Sequence, residues 1–171
     1  MSDSAMVLSG RVAAKLGDNI DTDIIYPGRY LNITDRDKTA EHLFELTYPE
    51  IRARIQPGDF IVAGKNFGCG SSREQATAAV KFANVGAVIA VSFARIFYRN
   101  SINLGLPLVV VSPDVITNLN AGEELEIGLT EGVVIKCATG ERFRSAPLDP
   151  RAVELLEAGG LIPYLKRKYA A

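Results

Sequence analysis

Apolar residues in VLSGRVAAKL, Val7 to Leu16, predict a strand, and the following GDNIDTDIIYPGRYL is rich in glycine, aspartate and asparagine, as a loop is. Asp37 to Ile55 has helical spacing at Leu43, Phe44, Leu46 and Ile51, with Pro49 marking a break or restart. DFIVAG, Asp59 to Gly64, reads as a short apolar strand and leads straight into NFGCGSSREQA. From Arg73, REQATAAVKFANVG predicts a helix of about three turns that stops near Asn84 or Gly86, and AVIAV, Ala87 to Val91, predicts a buried strand. Strand, loop, helix and strand in that order normally make a right-handed parallel crossover. ARIFYRNSINLG predicts the next helix, with Gly105 as its stop, and LPLVVVS, Leu106 to Ser112, another core strand.

After about Pro113 the pattern changes. ELEIGLTEGVVIKCATGERFRS alternates and turns at Glu131-Gly132 and Thr139-Gly140, as antiparallel strands do. DPRAVELLEAGG predicts a closing helix with Asp149 as N-cap, Pro150 in the first turn and Gly159 beyond the end. The expectation is an α/β chain whose two patterns are layers of one domain, residues 1–171.

Composition narrows the function. The 171 residues are 47% hydrophobic with a formal net charge of −1, enough for one ordinary core and without the basic surface that nucleic acid requires. Met1 to Gly10 lacks the basic start and apolar core of a signal peptide, and no apolar run approaches the roughly 18 to 20 residues of a membrane span. A soluble cytoplasmic protein with no membrane partner is expected. Cys69 and Cys137 are too few for a disulfide framework, and reduced thiols are expected. With His42 they are the only imidazole and thiol donors, whereas an iron–sulfur cluster usually takes about four thiolates, so any metal must come from elsewhere.

Three stretches carry candidate chemistry. In NFGCGSSREQA, Ser71 with Glu74 and Ser72 with Gln75 fit capping boxes, marking a helix start whose first N–H groups attract anions. Gly68 and Gly70 allow close backbone approach, the serines add hydroxyls, and Arg73 offers a planar fork for a carboxylate or phosphate. A capped helix after a tight turn reads the same residues without any ligand. No lysine directly follows the last glycine, which disfavours a phosphate loop, and Cys69 has no histidine near it in sequence to make it a nucleophile. In GDNIDTDIIYPGRYL, Asp18, Asp21 and Asp23 lack the glycine and distal glutamate of a calcium loop and read as turn acids. In SFARIFYRNSINLGLP, Arg95 and Arg99 lie four apart on one helical face, and His42, beside Leu43 and Phe44, reads as structural.

Together and in this order, GDNIDTDIIYPGRYL, GKNFGCGSSREQA and SFARIFYRNSINLGLPL resemble the small subunit of the isopropylmalate isomerase and homoaconitase group, over nearly the whole chain. That resemblance implies a three-layer swivelling β/β/α domain, with one mainly parallel and one antiparallel sheet. It implies dehydration and rehydration of a 2-hydroxy di- or tricarboxylic acid together with a large subunit that carries a 4Fe-4S cluster, none being bound by this chain. By the same resemblance Ser71 holds the place of the catalytic base, and Ser72 and Arg73, with Gly70 beside them, hold a substrate carboxylate. Asp23 matches an active-site aspartate that orients the serine or the substrate.

Gln75 stands where the group usually has histidine. After RYL, where homoaconitase types tend to carry arginine, the chain has Asn32 and Ile33, which favours an alkylmalate such as 3-isopropylmalate. Arg36 nearby, or a related acid such as 2,3-dimethylmalate, leaves the side chain of the substrate open. Readings of other classes are a non-catalytic carboxylate-binding or regulatory module, and a nucleotide-binding domain. The segment YPGRYLNITDRD, rich in turn-forming and charged residues, is expected to be mobile.

Overall fold

The computed structural model of the chain describes residues 5–170. Residues 1–4, the start of the segment read above as lacking a signal pattern, lie outside the described residues.

The apolar runs become β1 (Val7–Lys15), β2 (Phe60–Val62), β3 (Ala87–Ala90) and β4 (Leu108–Val110), and the alternating tail becomes β5 (Glu124–Gly128), β6 (Val133–Lys136) and β7 (Arg142–Arg144). They form a seven-stranded sheet in the order β4-β3-β2-β1-β5-β6-β7. The neighbours from β1 to β4 pair in parallel, and those from β1 through β5 and β6 to β7 pair antiparallel. The parallel and antiparallel parts expected from the sequence are therefore two halves of one sheet that share β1. Val7–Arg11 pairs with β5, Val12–Lys15 pairs with β2, and the register shifts between Val12 and Ala14. The sheet curls until its edges touch, with Val111 bridging Ser145 and the Ala146 N–H donating to the Val110 carbonyl at 2.9 Å.

Side-chain alternation along the strands makes two cores. Ala14, Ile61, Ala63, Val88 and Leu108 meet Ala76, Ala79 and Val80 of a helix on the outer face of the parallel half. Val12, Phe60, Val62, Ala87 and Ile89 fill the inside of the curl with Leu125, Ile127 and Val134 from the antiparallel half. Both faces of β2 and β3 are thus buried, and this is why FIV and AVIA read as unbroken apolar runs.

The helices are α1 (Thr22–Ile25), α2 (Arg36–Glu41), α3 (Pro49–Arg54), α4 (Glu74–Phe82), α5 (Arg95–Leu104), α6 (Pro113–Asn118), α7 (Pro150–Ala158) and α8 (Leu161–Tyr169). Asp149 caps α7 by accepting from the Arg151 N–H, and Gly159 ends it at φ 89°, as the sequence pattern implies. The helical spacing over Asp37–Ile55 resolves into α2 and α3 with a turn between them. Pro49 restarts the helix, Phe44 adopts φ 58°, and Leu46 is exposed rather than on an apolar face. α1, inside the stretch read as a loop, and α6 and α8 have no counterpart among the expected elements. α6 spans too few residues to show a period, and α8 buries no residue that would mark a core-facing stripe.

The segment YPGRYLNITDRD gives more to the core than its composition suggests. Tyr26 is fully buried and donates its hydroxyl to the Tyr30 carbonyl at 2.8 Å. The Tyr30 ring stacks on His42 at 3.6 Å, and His42 Nδ1 lies 3.1 Å from Glu45 Oε2. Arg29 sits over the Tyr30 ring at 5.0 Å and 3.9 Å from Glu45. Arg29 in the first half, and Asn32 with residues 34–37 in the second, are the exposed positions of the segment.

This aromatic and ionic fastening has a pH signature. A hydrogen bond from Tyr30 holds the Glu45 carboxyl below its ordinary 4.5 against the opposing effect of burial, with His42 and Arg29 adding to it. A depressed carboxylate contributes stability above its unfolded pKa and loses it as pH falls through the folded value. Glu45→Gln should therefore flatten the loss of thermal stability on acidification below about pH 4.5. An acid limb of equal slope in the variant would show that the contact does not hold the segment.

Candidate functional site

β1, β2 and β3 run parallel, so their C-terminal ends emerge on one edge of the sheet, the usual place for a ligand in such sheets. Each of the three polar stretches begins at one of these ends. Hydrogen bonds lace the resulting loops together: Asn19 N–H to the Lys65 carbonyl (2.7 Å), Gly68 N–H to Ile20 (2.8 Å), Thr22 N–H to Cys69 (2.9 Å), Phe67 N–H to Ser92 (3.1 Å) and Ala94 N–H to Phe67 (2.9 Å). Beneath them Phe67, Phe93 and Phe97 pack as an aromatic cluster with centroids 5.3 to 6.4 Å apart.

Above this base lies a cleft of about 180 Å³. Gly70, Ser71, Ser72 and Arg73 give it one wall and Arg95, Ile96 and Asn100 of α5 another, with Thr22 and Gly68 also contributing. Ser71 and Ser72 are exposed, and their hydroxyls make no hydrogen bond among the described residues. Arg73 is largely covered, with 19% of its side chain exposed, and Nη1 donates to Asp23 Oδ1 of α1. A Cβ on Gly28 would stand 3.2 Å from Arg73 Nη1, so the YPGRYL turn forms the other support of the guanidinium.

Five of the residues expected at the site are thus brought together: Gly70, Ser71, Ser72, Arg73 and, through Arg73, Asp23. Asn32 and Ile33 do not line the cleft; they follow the turn that starts beside Arg73 at Gly28, and the Ile33 N–H donates to the Tyr30 carbonyl at 3.0 Å. Arg95 reaches the cleft and Arg99 does not.

The capping boxes do not form. α4 starts at Glu74, Arg73 is its N-cap in extended conformation, and no side chain caps it. Arg73 takes the cap position instead, with its guanidinium between Asp23 and the Gly28 turn, and both serines precede the cap with their hydroxyls unspent. Gly68 also differs from its expected role: it is buried at φ 80°, and a Cβ there would come within 2.2 to 2.6 Å of Phe97. It serves packing, and Gly70 at φ 92° is the glycine exposed to the cleft.

The three aspartates separate. Asp18 accepts from the Lys65 N–H at 2.7 Å, Asp21 caps α1 through the Ile24 N–H at 2.8 Å, and Asp23 takes Arg73. Cys69 is half-buried and does not line the cleft. Thr22, Ile96 and Asn100 are site residues that sequence reasoning did not single out. Asn100 could have been found one helical turn beyond Ile96 on the same face.

A covered guanidinium beside two free hydroxyls at the mouth of an uncapped helix suits a carboxylate and a developing negative charge on oxygen. The family model of the aconitase C-terminal domain matches residues 5–113, the span from β1 through β4 that contains all three loops. The chain belongs to the aconitase C-terminal domain family. The 3-isopropylmalate dehydratase small subunit of Moorella thermoacetica is 49% identical over 163 residues, covering 95% of this chain and 97% of its own. The methanogen homoaconitase small subunit of Methanothermobacter thermautotrophicus is 47% identical over 161 residues, covering 94% of this chain and 92% of its own. The crystal structure of 3-isopropylmalate dehydratase from Methanocaldococcus jannaschii matches with a TM-score of 0.88 and 41% identity over 96% of each chain. This aconitase C-terminal domain therefore keeps the family architecture in both halves of its sheet.

Gly68 gives a direct test of how the site is held. Gly68→Ala should lower unfolding free energy by about 2 to 4 kcal/mol, because it adds both strain and overlap with Phe97. Gly17→Ala, with nothing within 4 Å of the added atom, serves as the control. Urea titrations giving equal midpoints for the two variants would contradict this packing.

Proposed function

We propose that this chain is the small subunit of a two-subunit hydro-lyase of the 3-isopropylmalate dehydratase type. It interconverts 2- and 3-isopropylmalate by dehydration and rehydration, a step of leucine biosynthesis. The observation that carries this reading is the meeting of Ser71, Ser72 and Arg73 in one cleft, with the serine hydroxyls free and the guanidinium anchored. The similarity to the Moorella thermoacetica subunit over nearly the whole chain supports the substrate class.

The reaction takes a proton from carbon beside a carboxylate and hydroxide from the neighbouring carbon, leaving an alkylmaleate to which water adds back in the opposite sense. Ser71 Oγ accepts the proton. A serine hydroxyl does this only as an alkoxide, and α4, which begins three residues on with no side-chain cap, offers its N–H groups and positive end to that charge. Ser72, Arg73 and the exposed backbone at Gly70 hold the carboxylate, and Asp23 orients the guanidinium rather than the serine.

This chain's donor set does not fit a cluster. Among the described residues no group of three His, Cys, Asp or Glu comes together, Cys69 is half-buried, and Cys137 is exposed. In this reading a large partner subunit carries the 4Fe-4S cluster, which supplies a Lewis acid for the leaving hydroxyl. The small subunit works in a heterodimer or heterotetramer in the cytoplasm; among the described residues no helix is long and apolar enough to cross a membrane.

Asn32 and Ile33 lie outside the cleft of the isolated chain, after the turn at Gly28, and by their match to the family's selectivity loop they favour an alkyl side chain on the substrate. A third carboxylate would lack a charged partner there, at roughly 2 to 5 kcal/mol if desolvated. Arg36 does not restore one: its guanidinium lies 5.1 Å from the ring centroid of Phe82, the last residue of α4, roughly 12 Å along the helix from Glu74.

The test is anaerobic turnover by the reconstituted complex on 3-isopropylmalate, 2,3-dimethylmalate and homoaconitate. Preference for 3-isopropylmalate is expected, and Ser71→Ala should lower kcat by roughly a hundred- to ten-thousandfold. Asp23→Asn should raise KM by roughly two- to fivefold and leave the melting temperature nearly unchanged, since Asp23 is 65% exposed. No turnover with a loaded cluster would favour the non-catalytic carboxylate-binding module.

A further inference from the structure

Asn100 lies on the second turn of α5 and lines the same cleft as Ser71, Ser72 and Arg73. Its side chain is half-buried and makes no hydrogen bond among the described residues. Arg95 on the same wall also lacks a partner, but it is exposed, and water solvates an exposed guanidinium fully. A half-buried amide is different. It carries two donors and an acceptor, and a polar group drawn partly out of water without a partner is destabilising until something satisfies it.

Resting on the dehydratase reading, we propose that Asn100 is a substrate-contacting residue whose Nδ2 donates to the carboxylate held by Arg73. The chemistry of the cleft favours this assignment. Arg73 already gives one of its five N–H donors to Asp23, so its fork has fewer donors left for an arriving carboxylate. A carboxylate has about four lone-pair sites, of which an arginine fork fills two. A neutral donor from α5 in the same cleft fills a third and fixes the plane of the carboxylate without altering the charge of the cleft. The Asn100 amide is the neutral side-chain donor that α5 contributes there.

The experiment uses the holoenzyme, with the large subunit saturating and its cluster loaded. Asn100→Asp keeps the shape and turns the donor into an anion facing the substrate. It should raise KM for 3-isopropylmalate, and the inhibition constant of malonate as a bare dicarboxylate, by roughly ten- to a hundredfold, with a smaller change in kcat. Asn100→Ala should raise both by roughly tenfold, and Asn100→Gln should recover part of the loss. Should Asn100→Asp fail to fold by circular dichroism, the Ala and Gln pair carries the test. Unchanged KM and malonate inhibition would overturn the assignment. So would a fall in kcat alone, which would point to the serine loop, or a weakened subunit affinity with KM intact at saturation, which would point to assembly. If the wild-type complex turns over and these variants match it, this inference alone fails. If the wild-type complex does not turn over, the dehydratase reading fails and takes this one with it.

Discussion

The change of partner along β1 is the constraint on which the rest of the structure depends. Its first five residues are tied to β5, its last ones to β2, and the register shift at Val12 to Ala14 turns one half of the sheet against the other. Only because β1 ends alongside β2 and β3 do three loops reach the same edge. At the opposite end the same strands are locked by close backbone contact. A Cβ on Gly10 would stand 2.3 Å from the Gly58 carbonyl oxygen, and one on Gly86 2.5 Å from it, so the entry to β2 is clasped between its two neighbours. The Gly58 N–H to Asn84 and Gly86 N–H to Asp59 bonds, both 2.8 Å, close that clasp. Fixing the strands at their starts fixes where their ends deliver the loops.

From that frame the site is assembled in layers. The phenylalanine cluster supplies an apolar base, the loop-to-loop hydrogen bonds satisfy backbone groups that an irregular buried segment would otherwise leave bare, and the polar side chains sit on top. The two helices that begin at the cleft are also tied at their far ends. Lys81, near the end of α4, donates to the Gly105 carbonyl at 2.9 Å, just past α5. Burial pushes the ammonium pKa down, so the carbonyl is what compensates it. α4 and α5 thus keep a fixed relation along their length, and the two walls of the cleft with them.

Much of this was legible in the sequence because each polar stretch follows an apolar strand. Placing GDNIDTDIIYPGRYL, NFGCGSSREQA and SFARIFYRNSINLGLP after three strands of a parallel crossover pattern already implies one shared edge. What escaped is non-local. The parallel and antiparallel parts were both expected, but nothing in VLSGRVAAK shows that this one strand joins them by changing partner. The serine–glutamate spacing satisfies a capping rule, yet α4 starts at Glu74 with Arg73 at the cap, held between Asp23 fifty residues earlier and the Gly28 turn. Gly68 looked like a ligand glycine because sequence alone does not reveal that Phe97 stands on it. Asn100 sits inside a recognised stretch, yet only the cleft it shares with the serine loop gives it a role.

The Asp23–Arg73 pair shows why anchoring the arginine does not silence it. Arg73 is 19% exposed and Asp23 65%, so the two ends of the pair live in different media. A carboxylate that remains well hydrated forms a weak net bond, in the range below about 1 kcal/mol typical of surface pairs. The guanidinium, by contrast, is confined by the Gly28 turn and by its own covered position. Orientation therefore comes mainly from packing and only in part from charge. The fork stays aimed while its electrostatic attraction for an incoming carboxylate is largely preserved, which is what a site must do if it is to bind an anion without first having to build itself.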